Sequence, residues 1–327
     1  MVKVSVIMSI YSEPIEWIKE AINSILNQTF TDFEFIIVND KPSRKENIEL
    51  LKAFQQKDKR IQIVENKQNI GLTKSLNKSL LLAKGTYIAR MDADDFSYPT
   101  RFEKQVRFLD ENKEYVVCGT NIEYFGENKI KLTREIIKVE NIELKAQLIK
   151  NSCFAHPTVM IRKQILIDNQ IKYNEDFIQA QDYKLWSDLS TLGKYYNIKE
   201  ILLKYRVSDN QVSKKSSTNQ NINGNKIRTS CLSVYLDLQL IEKLVAKDAD
   251  FKILFKVKKE LKLKKVSKLI YNNILFVSYL SIKNKTLILL LYYFFSLDFI
   301  KHISEPLDVL RIVESCVFPN KKPKRLY

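Results

Sequence analysis

Apolar positions follow two alternating rhythms over residues 4–91. Val4–Ile10 and Phe33–Asn39 are short apolar runs, as expected of strands buried on both faces. Ile61–Val64 and Tyr87–Met91 read as a third and a fourth strand. Between the first two runs, Ile15, Ile18, Ile22, Ile25 and Leu26 recur at helical spacing within Ile15–Asn27, and Asn47–Gln56 and Leu72–Ala83 also read as helices. Strand and helix alternate throughout, which predicts an α/β layered domain with a mainly parallel central sheet. Ligands of such sheets gather beyond the carboxyl ends of the strands. Ser9–Tyr11, Asn39–Asp40 and Asp92–Asp95 are therefore expected to converge on one crevice.

Further along, Gln179–Leu192 reads as a helix. Residues 213–229 are rich in Ser, Asn and Lys and read as a flexible connection or boundary, and 230–301 as Leu- and Lys-rich helices. Leu287–Leu297 is the longest apolar stretch there, too short for the about 20 residues of a membrane span. The expected division is a catalytic domain over 1–213 and a basic, mainly helical region over 214–327.

Charge sharpens this division. The net charge is +16. Residues 1–200 carry 30 Lys and Arg against 28 Asp and Glu, whereas residues 201–327 carry 24 against 10. A basic module beside a near-neutral one implies an anionic partner for the tail, membrane lipid or nucleic acid. Cys118, Cys153, Cys231 and Cys316 are scattered, which argues against a cysteine zinc site and a disulfide framework. The opening MVKVSVIMSIYS has no basic head or small-residue cleavage site, and with the cysteine usage it sets a cytoplasmic expectation.

The sharpest chemical feature is Arg90-Met91-Asp92-Ala93-Asp94-Asp95 at a strand end. Three carboxylates packed this closely repel one another unless a cation neutralises them, and hard oxygen ligands suit Mg²⁺ or Mn²⁺. In an extended segment Asp92 and Asp94 point to the same side. The structural alternative is an acidic turn capping a helix near Thr100. Asp40 reads either as a turn former or as a carboxylate accepting the imide N–H of a pyrimidine. Asp182, in Gln179–Trp186, reads either as a helix N-cap or as a general base toward an acceptor hydroxyl. His156, before Pro157, reads as structural or as a pocket wall, and His302 as a surface residue of the tail.

Seven segments in order carry a family resemblance: Val4–Tyr11, Ser24–Thr29, Ile36–Asp40, Asn69–Leu72, Met91–Asp95, His156–Val159 and Gln181–Trp186. Together they resemble inverting glycosyltransferase family 2, of bacterial surface-polysaccharide type, with a GT-A fold: a Rossmann-like, mainly parallel sheet flanked by helices, here with a C-terminal helical extension. The resemblance implies that Ser9, Tyr11, Asp40 and Asp92 bind the nucleotide sugar, a UDP-sugar. Asp94 would hold the metal with Asp92, and Asp182 would be the catalytic base. Three departures stand out. Asp40 is followed by Lys41-Pro42-Ser43 where Gly-Ser is usual, Gln181 replaces a carboxylate before Asp182, and Ser208 stands where many relatives place a metal-binding His.

The implied reaction is a single displacement that inverts the anomeric centre, with a glycan or lipid-linked saccharide as acceptor in the synthesis of capsule or lipooligosaccharide. A nucleotidyltransferase would also use an Asp pair, but no Gly-rich phosphate loop with a following Lys lies near the first strand. A nucleic-acid-binding protein would use the basic tail, which contains no recognisable module, so no nucleic acid is expected. Residues 251–270 hold eight lysines among apolar positions, and a helical projection does not separate the two cleanly. With Lys321–Arg325 they set the expectation of peripheral attachment to the inner face of the cytoplasmic membrane.

Overall fold

The computed structural model describes residues 2–126, 134–135, 138–208 and 218–282, together with 293, 309, 312, 313 and 316. His302, Lys321–Arg325 and Leu287–Leu297 apart from Tyr293 lie outside the described residues. The chain divides into two compact units, one of residues 1–145 with 152–223, the other of 146–151 with 224–327.

In the first unit the two rhythms become alternating elements. β1 (Val4–Ile10), α1 (Ile15–Leu26), β2 (Phe33–Asn39), α2 (Lys45–Lys57), β3 (Ile61–Glu65), α3 (Leu72–Leu82) and β4 (Tyr87–Arg90) follow in turn. α1 shows why the pattern works. Ile18, Ala21, Ile22 and Ile25 form one stripe, fully buried in the same cluster as Val4, Val6 and Met8 of β1. Each such isoleucine contributes about 1.5–3 kcal/mol by leaving water. β1 pairs in parallel with both β2 and β4, and β2 with β3. In this register Ile10 lies opposite Asn39, and Ile7 opposite Arg90, so the carboxyl ends of β1, β2 and β4 share one edge.

Beyond β4 the sheet departs from the mainly parallel expectation and becomes mixed. After β5 (Phe96–Ser97), α4 (Arg101–Glu111), β6 (Tyr115–Gly126), β7 (Arg134–Glu135) and α5 (Asn141–Gln147), a 3-10 turn at His156–Thr158 leads into β8 (Met160–Arg162). β8 lies antiparallel to β4 and to β6. α6 (Lys163–Asp168), α7 (Gln181–Leu189) and β9 (Lys194–Val207) complete the unit. The strand order is β3-β2-β1-β4-β8-β6-β9-β5, with β7 on β6. β6 and β9 run parallel, with register shifts near Thr120 to Ile122. These long strands carry the chain back to the acidic segment, because β5 pairs with β9 through Phe96 and Lys204.

The reading of 213–229 as a flexible connection is corrected from Thr218 onward. Thr218–Leu232 is helix α8. It has no continuous apolar stripe to announce it, yet Ile227 is buried and Asn223 donates from Nδ2 to the carbonyl of Ile178 at 3.1 Å. In the second unit α9 (Leu238–Val245), α10 (Phe251–Leu263) and α11 (Lys268–Leu280) pack through Leu240, Ile241, Leu254, Val257, Ile274 and Leu275. Asp237, Asp250 and Ser267 cap them, each accepting from the backbone N–H three residues on. Among the described residues, no helix is long and apolar enough to cross a membrane.

Candidate active site

The edge shared by β1, β2 and β4 carries the first group of candidate residues. Asp40 follows β2 and is buried. Its Oδ1 accepts from Asn66 Nδ2 and from the Ile70 N–H, both at 2.8 Å, and its Oδ2 from the Gly71 N–H at 2.9 Å. Gly71 has φ +86°, a conformation costly for other residues, so this carboxylate and this glycine together fix the entry to α3. Asp40 thus shapes the loop beside the crevice, and only part of its accepting capacity remains open to a ligand. Ser9 is half-buried near the end of β1, and Tyr11 next to it is 40% exposed. Lys41 Nζ stands 5.0 Å from the Tyr11 ring centre, and Asn47 Nδ2 donates to the Tyr11 carbonyl at 2.9 Å. The exposed ring is therefore held in place with a cation above it.

The acidic segment does not cap a helix. α4 begins at Arg101 with Thr100 as its N-cap, which makes no side-chain capping bond. Instead the carboxylates of Asp92, Asp94 and Asp95 present oxygens within 4.8 Å of one another. Asp94 is pushed up to about 7 by burial, then by Asp92 and by Glu13. Asp95, almost fully buried, is raised well above the carboxylate range by burial and by Asp94. Its Oδ1 accepts from the Arg206 N–H at 2.8 Å, while its Oδ2 is buried without a protein hydrogen-bond partner. Crowded carboxylates with an unsatisfied buried oxygen fit a hard divalent cation. Arg206, on β9, donates from Nε to the Asp94 carbonyl at 2.6 Å, and its guanidinium lies between Trp17 and Phe125 at 4.6 and 4.2 Å from their ring centres. β9 thereby braces the acidic turn. Ser208, just past that strand, is buried.

Arg90 links this cluster to Asp182. Arg90 is 2% exposed, and its guanidinium pairs with the Asp92 carboxylate through Nη2, while Nε and Nη1 are buried without protein partners. The same charge acts on Asp182 and Tyr173. Asp182 is the second residue of α7, whose N-cap is Ala180, without a side-chain capping bond. Its Oδ2 accepts from Ser152 Oγ at 3.1 Å. Burial raises its affinity for a proton, and the Tyr183 N–H, Ser152 and Arg90 pull it back down. Gln179, just before α7, has φ +65°, a strained conformation for a non-glycine residue. His156 sets Nε2 2.8 Å from the Tyr173 hydroxyl and turns its ring edge-on to Trp186. Burial and then Arg90 hold this imidazole neutral. Replacing Arg90 by Met strips the counter-charge from Asp92 and leaves three acids facing one another. Urea unfolding is expected to show a loss of about 3–5 kcal/mol, the usual cost of breaking a buried pair from one side; a loss under about 1 kcal/mol would contradict this account.

Residues 5–169 match the family model described as glycosyl transferase family 2. The chain belongs to glycosyl transferase family 2. This family 2 glycosyltransferase is 32% identical over 325 residues to an uncharacterized glycosyltransferase of Haemophilus influenzae, covering 96% of each chain. It is 34% identical over 219 residues to the O-antigen biosynthesis glycosyltransferase WbnJ of Escherichia coli, covering 65% of this chain and 83% of that one. The crystal structure of S. aureus TarS 1–349 in complex with UDP-GlcNAc shares its fold, with a TM-score of 0.59 at 19% identity over 86% of this chain and 81% of that chain. The fold is GT-A, with the mixed sheet described above.

Several residues of the candidate site had no role in the sequence reading. Glu13 accepts the Tyr11 N–H at 2.7 Å and adds its charge to the acidic cluster, from nearly eighty positions away in the chain. Ser152 and Tyr173 come from connecting segments without a pattern. Arg90 alone gave a local signal, a cation two residues before a run of carboxylates that needs one.

Proposed function

We propose that this family 2 glycosyltransferase moves a sugar from a UDP-sugar to a hydroxyl of a glycan or lipid-linked saccharide, with inversion, in the assembly of cell-surface polysaccharide. The observation that carries the reading is the placing of Asp92, Asp94 and Asp95 and of the base candidate Asp182 around one buried arginine, Arg90. The UDP-GlcNAc bound by the TarS structure and the O-antigen role named for the Escherichia coli relative support the donor and the pathway class.

Ser9, Tyr11 and Asp40 line the nucleotide end, with the 40% exposed Tyr11 ring offered as a stacking surface for the base. Asp94, with Asp92 and Asp95, would hold Mn²⁺ or Mg²⁺. When bound, such an ion supplies positive charge for the diphosphate leaving group. Arg90 orients Asp92 and adds fixed positive charge beside it. Asp182 takes the proton of the acceptor hydroxyl as that oxygen attacks the anomeric carbon from the face opposite the diphosphate. One displacement inverts the centre and needs no enzyme nucleophile. Ser152 aims the Asp182 carboxylate by donating to one of its oxygens. A lipid-linked acceptor would be met at the inner face of the cytoplasmic membrane, with the protein attached peripherally.

Thermal unfolding with UDP, GDP, ADP and CMP, each with Mn²⁺ or with chelator, tests the donor side. UDP with Mn²⁺ is expected to give the largest stabilisation, about 2.7 kcal/mol at a hundred times its Kd. Equal responses to all four nucleotides would sink the UDP assignment.

A further inference from the structure

Asp182 stands among polar atoms that the fold buries and leaves unpaired. Gln179 and Gln181, on either side of the Ala180 N-cap of α7, each hold Oε1 buried with no protein hydrogen-bond partner. Gln181 as a whole is 8% exposed. Arg90, whose charge acts on Asp182, holds Nε and Nη1 in the same state. So does the indole Nε1 of Trp186, four residues beyond Asp182 and therefore on the same side of α7. A buried polar atom without a partner gives up its hydration for nothing, and native folds keep few of them. Gln179 adds backbone strain, with φ +65°. Unpaired atoms and strain held together beside a candidate base mark a segment shaped for a ligand.

The mixture of unpaired atoms selects the ligand class. The two glutamine oxygens accept, whereas Arg90 and Trp186 only donate. An anion would suit the donors and be repelled by the carbonyl oxygens. A cation would suit the oxygens and be repelled by Arg90. A hydroxyl both donates and accepts, so a neutral ring bearing several hydroxyls satisfies both sets. We propose that Gln181 selects the sugar, its Oε1 accepting a hydroxyl of a saccharide ring held at Asp182, with Gln179, Arg90 and Trp186 beside it. The proposal rests on the transfer reading given above and names a residue that sets its specificity. Donor sugar and acceptor sugar share this chemistry, and the experiment separates them. The departure at position 181 suits the task. A carboxamide accepts as a carboxylate does, without placing a second negative charge next to Asp182.

Gln181→Met keeps the length of the side chain and removes the accepting oxygen. Calorimetric titration of the full chain in Mn²⁺ compares it with the parent for UDP, UDP-glucose, UDP-galactose and UDP-GlcNAc. Release of UDP is followed in parallel, with and without methyl glucoside, methyl galactoside and lactose. UDP itself is expected to bind both chains alike. A contact to the donor sugar appears as a roughly ten-fold loss of UDP-sugar affinity, the scale of one hydrogen bond. A contact to the acceptor appears as a roughly ten-fold rise in KM for the saccharide, with donor affinity unchanged. Gln181→Glu retains accepting oxygens and should restore whichever is lost. Without ligand, Gln181→Met should unfold no lower than the parent, because the oxygen it removes has no protein partner to lose. A Gln181→Met chain that matches the parent in both arms would overturn the proposal and leave the oxygen to a structural water. A lower unfolding temperature with an equal loss of UDP affinity would also overturn it, as the mark of a structural residue. A parent that binds UDP but no UDP-sugar, and releases no UDP in any mixture, would overturn the proposal together with the transfer reading.

Discussion

Asp94→Ala is expected to lower sugar transfer by roughly a thousand-fold or more in Mn²⁺, because a metal at a developing diphosphate charge is worth several kcal/mol and each 1.36 kcal/mol is tenfold in rate. The fold should survive and should gain stability without metal. Asp94 shares its space with Asp92 and Asp95, all three presenting oxygens within 4.8 Å, and Asp95 Oδ2 has no protein partner. Like charges at that spacing oppose folding, so removing one relieves the others. The two readouts therefore move in opposite directions. In chelator, the variant should unfold at a higher temperature than the parent. On addition of Mn²⁺ the parent should rise toward it or past it, and the variant should respond little. This crossing separates a metal ligand from an ordinary structural carboxylate, whose loss would lower activity and stability together. Full transfer activity in Asp94→Ala, or parent activity unchanged by excess chelator, would remove the metal from the mechanism.

The parts of this molecule that were legible in the sequence are those whose burial is periodic. Ile18, Ile22 and Ile25 on α1 and the unbroken apolar runs of β1 and β2 declare both element type and facing, and they fix the edge where Ser9, Asp40 and Asp92 meet. The antiparallel β8 was not legible, because three residues carry too little pattern to show direction. Neither was α8, where Asn, Gln, Lys, Arg, Thr and Ser fill most positions and, among its described side chains, only Ile227 and Leu232 are fully buried. At the site, the carboxylates were visible because three of them in four positions repel one another unless a cation offsets their charge. What ties them together was not. Arg206 reaches Asp94 and Asp95 from over a hundred residues away, and Ser152 reaches Asp182 from a connecting segment. Asp40 shows a different limit. A carboxylate at a strand end looked like a ligand group, and its geometry also makes it the clasp of the 66–71 loop.

Asp182→Asn is expected to reduce transfer to acceptor by roughly 10²–10⁴-fold, the range for removing a general base, while UDP-dependent thermal stabilisation stays at the parent value. The substitution keeps shape and size, and its amide oxygen can still accept from Ser152 Oγ, so the start of α7 should hold. What disappears is the group proposed to take the proton. A pH profile then tells the base from a binding residue. Burial raises the Asp182 carboxyl above its ordinary value, and the Tyr183 N–H, Ser152 and Arg90 draw it only partly back. The base works when ionised, so the acid limb of kcat in the parent should fall as pH drops through this raised value, above the ordinary carboxylate range. In Asp182→Asn that limb should vanish, leaving a low and flatter profile. Folding adds a second sign. A carboxyl whose affinity for protons is higher in the folded chain costs stability once pH exceeds its unfolded value, and the cost grows until the folded value is passed. Asp182→Asn should therefore equal the parent in stability near pH 3 and match or exceed it near pH 8. Equal losses of UDP binding and of transfer, with the acid limb intact, would make Asp182 a binding or structural residue and leave the proton to another group.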